Sequence, residues 1–150
     1  MTLRTRIAPE VDVVLLSFPM HFTWEFLQAP LFRSMEPLSH FEGIRVCLQA
    51  TIGDMAMVLV AFWITCIVTG SRRWHVRPNA RAIAIWLGSG LVMTVVMEFL
   101  STEILDRWTY AAAMPRLPLV GTGLGPFGQW VVVPMIVLWY MNRLSPDPTD

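Results

Sequence analysis

Charge is what this chain has least of. Only 15% of its residues are charged, against about 25% in a typical soluble domain. Its 11 basic residues, all arginine with no lysine, are balanced by 11 acids. A formal net charge of zero leaves no basic face to meet a nucleic-acid backbone. Disorder needs low hydrophobicity and high charge, whereas 55% of this chain is hydrophobic and its mean hydropathy is +0.53. Two cysteines, Cys47 and Cys66, each in or beside an apolar run, cannot build a disulfide framework. The class that remains is a protein whose solvent is lipid.

A helix needs roughly 20 mostly apolar residues to cross about 30 Å of hydrocarbon. Four stretches meet that requirement: residues 11–32, 46–69, 82–105 and 119–141. The expectation is all-α, an integral membrane four-helix bundle in one transmembrane domain over residues 1–150. The first stretch contains His21, Glu25 and Gln28, and no small-residue cleavage site follows it, so it reads as a span and not a signal peptide. Arginine sets the orientation. Arg72, Arg73, Arg77 and Arg81 crowd the second connection without an offsetting acid, and basic loops stay in the cytoplasm. With four spans, both termini then lie inside, together with Arg4, Arg6 and Arg143. Trp74, Trp108, Trp139 and Tyr140 fall near span ends, where aromatic belts form. The tail "SPDPTD" reads as a frayed end.

Polar groups at membrane depth cost several kcal/mol on insertion scales, so each needs a reason. His21 and Glu25 lie four residues apart, on one helix face, with Gln28 a turn further on. Asp54 stands in the second span, Glu98 in the third and Gln129 in the fourth. At about 1.5 Å of rise per residue, Glu25, Asp54 and Glu98 each lie roughly 10 Å from the outer end of their spans, with Gln129 and His21 slightly deeper. Four helices thus contribute polar groups to one layer in the outer half of the bilayer. Pro19, Pro30, Pro126 and Pro134 interrupt or bound the first and fourth spans, and a carbonyl freed by proline must be satisfied or face a cavity. A purely structural use stays open: His21 paired with Glu25, and Asp54 bonded to Gln28 or Gln129, as glue between helices.

Three carboxylates and an imidazole suggest a metal site, a proton relay or acid–base catalysis. Glu-x-x-His pairs, HExxH and Cys/His clusters are absent, so no metal and no other cofactor is expected. An apolar setting lets a carboxyl group hold a proton, which protonation of an alkene requires. The reading is therefore acid–base work on, or binding of, an isoprenoid or sterol-like lipid. Glu25 and Glu98 form the acid–base pair, Asp54 is a second charge and His21 is the proton partner of Glu25. Gln129 orients, and Trp24, Gln28, Trp108, Tyr110 and Trp130 line the substrate site, aromatic faces steadying a cation. The competing reading is a small proton-coupled transporter or an accessory subunit of a membrane complex. A homo-oligomer fits either.

The strings "HFTWEFLQAPLF", "CLQATIGD" and "EFLSTEILDRWTYAAAMPRLPLVGTGLGPFGQWVVVP" resemble a group of small four-span bacterial inner-membrane proteins of uncharacterised activity. That resemblance covers most of the chain, is most specific over residues 107–130, and implies a fold unit in a bacterial inner membrane. A glutamate near a span end followed by "RWTY" and a proline/glycine-rich re-entry is similar to the membrane carotenoid cyclase and hydratase families, although the paired-acid PxEE signature is missing. The His21-x-x-x-Glu25 spacing resembles that of the emopamil-binding sterol isomerase group, whose other motifs do not line up in order. Both likenesses imply catalysis on an apolar lipid.

Overall fold

In an apolar solvent a backbone satisfies its N–H and C=O groups most simply within a helix, and the apolar runs of this chain do so. The computed structural model describes residues 8–145; Arg4, Arg6 and residues 146–150 of the tail lie outside the described residues. The chain forms α1 (Pro9–Gln28), α2 (His40–Thr69), α3 (Ala80–Phe99) and α4 (Leu124–Leu144). Each helix packs on its sequence neighbours, and α4 returns to α1, closing a four-helix ring. Three helical stretches are long and apolar enough to cross a membrane: His40–Thr69, Ala80–Ile104 and Leu124–Leu144. The 20-residue α1 carries Glu10, Asp12 and Glu25 and is not among them.

The helix ends depart from the apolar stretches for local reasons. The α2 helix starts at His40, ahead of residue 46, because Ser39 and Glu42 form a capping box. Its backbone half is the Ser39 N–H donating to Glu42 Oε2 at 2.9 Å. It stops at Gly70, whose φ of 68° opens the left-handed turn that ends the helix. At the other extreme, α4 starts only at Leu124, not at residue 119. Residues 119–123 instead form a loop tied by Leu117 N–H to Thr122 O at 2.9 Å. Past Gln28, α1 tightens into 3-10 turns, Ala29–Leu31 and Arg33–Met35. The α3 helix widens into a π-helical turn, Leu100–Ile104, directly after Phe99.

The ring has two unlike halves. At one end Val13, Phe62, Trp86, Val137 and Met141 interlock in a dry core. Trp74 belongs to this core and not to an interfacial belt: it is 5% exposed, between Phe62 at 5.8 Å and Trp86 at 5.6 Å. Toward the other end the core gives way to the polar layer. Residues 106–123 fold over that end as a strap, paired with the end of α1 through Arg33 N–H to Thr109 O and Ala111 N–H to Leu31 O, both 2.9 Å.

Candidate functional site

Beneath the strap lies a cavity of about 420 Å³, within the 300–1,000 Å³ typical of small-molecule sites. Glu25 of α1, Asp54 of α2 and Glu98 of α3 all line it, joined by Gln28, Gln129, Trp108 and Trp130. The rest of the wall is largely apolar, including Phe32, Met35, Cys47, Met57 and Met97. Seven of the ten expected site residues therefore meet at one hollow. The other three stand behind it.

His21 is the first of those three, and its partner differs from the expected one. The ring is fully buried, and its Nδ1 lies 3.2 Å from Asp54 Oδ2 and 2.8 Å from Gln129 Nε2, so it serves Asp54 and not Glu25. The α2 helix packs directly on α1 and brings the Asp54 carboxylate to the imidazole. Its Nε2 has no hydrogen-bond partner, while the ring leans on Trp130 with centroids 5.4 Å apart. Trp24 is a tie between helices, its indole N–H donating to Gly125 O at 3.2 Å. Tyr110, the third, sits in the strap behind Glu98 instead of facing a ligand.

The polar groups form two connected sets. In one, Gln28 Nε2 donates to Glu25 Oε1 at 2.8 Å and to Gln129 Oε1 at 3.3 Å, while Gln129 Nε2 donates to Asp54 Oδ2 at 3.1 Å. Both amide donors are spent on neighbours in a continuous chain from Glu25 to Asp54 and His21. The bonding of Asp54 to Gln129 is the interhelical glue that sequence reasoning left open. Gln28 is 5% exposed, and its Oε1 receives no donor.

In the second set, Glu98 Oε2 accepts from the Tyr110 hydroxyl and from the Trp108 indole N–H. Tyr110 in turn accepts from Gly123 N–H at 3.0 Å, and its ring packs between Phe32 at 5.5 Å and the Arg116 guanidinium at 4.8 Å. A Cβ on Gly123 would lie 3.0 Å from the Tyr110 ring and 2.9 Å from Met114 Sδ, so glycine is what admits the ring here. Burial and the adjacent Glu98 carboxylate push the Tyr110 hydroxyl well above the usual phenol range, so it remains a donor throughout the neutral range.

Sequence reasoning missed much of the wall, including Cys47, Gln49, Gly53 and Met57 on α2 and Thr94 and Met97 on α3. The signal was present: Cys47, Ala50, Asp54 and Met57 recur at three- and four-residue steps, hence on one helical face. Arg107, at the strap end, is the one basic residue in the lining. Among the described residues no group of three or more His, Cys, Asp or Glu is arranged to hold a metal ion. Comparison with protein-family models, curated proteins and solved structures finds no match to this chain.

Proposed function

We propose that this protein takes a lipid from the surrounding membrane into the cavity and performs acid–base chemistry on it, with Glu25 and Glu98 exchanging the protons. One observation carries the reading: carboxylates from three different helices line a single, otherwise largely apolar hollow. A carboxylate withdrawn from water is costly and is kept where it serves. Trp108 and Trp130 in the same wall offer π faces to a cation developing on the substrate.

The chemistry that fits is proton transfer at carbon in an isoprenoid or sterol-like lipid. In an isomerisation, one carboxyl group delivers a proton to one alkene carbon and the cation forms on the other. A carboxylate then removes a proton from the next carbon beyond that cation, shifting the double bond and leaving the formula unchanged. Cyclisation and hydration begin with the same protonation. Asp54, held by Gln129 and close to His21, is the third carboxyl group of the site. Tyr110 and Trp108 fix one oxygen of Glu98 and leave the other to the cavity.

We place the protein in a bacterial inner membrane with α1 as a fourth span, both termini cytoplasmic and the cavity in the outer half. The arginines of the α2–α3 connection support that orientation. The hydrogen-bonded chain from Glu25 through Gln28 and Gln129 to Asp54 favours a second reading, a proton-coupled transporter. Untargeted lipidomics of a deletion strain separates them. Under the enzyme reading a lipid lost on deletion returns with the wild-type gene but not with Glu25→Gln or Glu98→Gln. Lipid profiles unchanged by variants that insert normally contradict it.

A further inference from the structure

We propose that the ligand reaches the cavity sideways from the bilayer, through a mouth between α2 and α3 whose sill is Gly53, and that it is therefore a long-chain lipid and not a water-soluble molecule. The inference rests on the reading of the cavity as a lipid site and adds the route and the residue that controls it.

The lining residues are not equally covered. Phe32, Ser34, Met35 and Leu38, from the α1–α2 connection, roof the cavity and are all partly buried. On the side, Val46, Gln49 and Gly53 of α2 and Met97 of α3 line the same cavity yet are exposed, Val46 at 40% and Met97 at 41%. The wall is thus open where α2 and α3 adjoin. Around that opening the outer surface is apolar, with Ile52 59%, Val96 49% and Phe99 50% exposed. Both helices are long and apolar enough to cross a membrane, and the proposal sets hydrocarbon outside the opening.

Packing explains neither Gly53 nor Gly88 of α3, and of the two only Gly53 lines the cavity. A glycine inside a helix destabilises it relative to alanine, and a close neighbour normally justifies one. Gly90 on α3 has such a neighbour: a Cβ there would come within 2.4 Å of the buried Trp130 ring. At Gly53 a Cβ would meet nothing within 4 Å, although the residue borders Asp54 in the cavity wall. Its missing side chain leaves the mouth open and helix contact unchanged. A lipid chain lying along α2 can pass over it and bring its polar or unsaturated end to Asp54 and Glu98. Exposed Arg107 marks an alternative way in, at the strap end.

The test uses the full chain in phosphatidylcholine nanodiscs. One probe is a phosphatidylcholine carrying a diazirine on its acyl chain, and the comparison probe is a charged, water-soluble diazirine. Adducts are mapped by mass spectrometry. The expected result is lipid-probe adducts on inward residues such as Asp54, Met57 and Glu98 in the wild type. Gly53→Trp and, independently, Met97→Trp should lower these about tenfold, equivalent to about 1.4 kcal/mol, while adducts on outward Ile52 and Val96 persist. The outward adducts show that each variant is folded, and the second tryptophan covers failure of the first. Inward adducts that survive both tryptophans overturn the proposal. Inward labelling by the water-soluble probe alone also overturns it, and the lipid-site reading falls with it, because no lipid then enters the cavity. No inward labelling by either probe removes the lipid-site reading as well.

Discussion

Glu98 is held in place by the protein alone, because its two donors come from one short stretch, Trp108 and Tyr110, pinned across the bundle end. Tyr110→Phe keeps the ring between Phe32 and Arg116 and removes only the hydroxyl. A hydrogen bond to a charged group is worth about 1.5–3 kcal/mol, so thermal unfolding should register a loss of that order, and lipid turnover should fall without the complete loss expected of Glu98→Gln. Because the Tyr110 hydroxyl titrates above its ordinary value of 10.0, the stability it confers is complete below that pH and fades as pH rises beyond it. The alkaline loss of stability should accordingly be smaller in Tyr110→Phe. Glycines give a second residue-scale contrast. Gly90→Ala drives a methyl into the Trp130 ring, which is 2% exposed and cannot swing away. Overpacking of this kind costs about 1–3 kcal/mol. Gly53→Ala meets open space and should raise stability by about 0.5–1 kcal/mol through helix propensity alone. Opposite shifts in the midpoints of thermal unfolding check both.

Helix positions were legible in the sequence because apolar length is a summed property of many residues. Helix ends were less so, since single residues decide them: Ser39 with Glu42 starts α2 early, and the loop that includes Gly121, at φ 70°, delays α4. The polar layer was legible from rise per residue, and Glu25, Asp54, Glu98 and Gln129 do meet. Rotation about each helix axis was not, because packing between helices sets it; that is why His21 turned to Asp54. Tyr110 was misplaced for a similar reason, its strap being fixed by pairing with residues 31–33, far away in sequence. The α2–α3 connection carries a prediction of its own. His75 is 6% exposed and packs against Phe62 and Trp74; burial, reinforced by Arg73, lowers its affinity for a proton below the ordinary imidazole value of 6.5. Folding around a neutral ring is fully stabilising above that value and is progressively lost as pH falls below it. Melting curves should show this acid weakening in the wild type and a shallower one in His75→Phe.

Across the whole molecule, the dry core and the polar cavity are kept in different halves. The dry core of Phe62, Trp74, Trp86 and Val137 holds the ring of helices together and lets the other half stay hollow. The strap caps that hollow, and the cavity reaches the surface between α2 and α3. Proton transfer between the carboxyl groups and a lipid carbon is the central claim, and solvent deuterium reads it directly. Purified protein in nanodiscs made from the lipids of the deletion strain is incubated in D₂O, and the extracted lipids are examined by mass spectrometry after exchangeable deuterium is washed out. One lipid species should carry carbon-bound deuterium with the wild type, and none with Glu25→Gln or Glu98→Gln. Lipids that gain no carbon-bound deuterium over a protein-free control, or gain it equally with both variants, would contradict that claim.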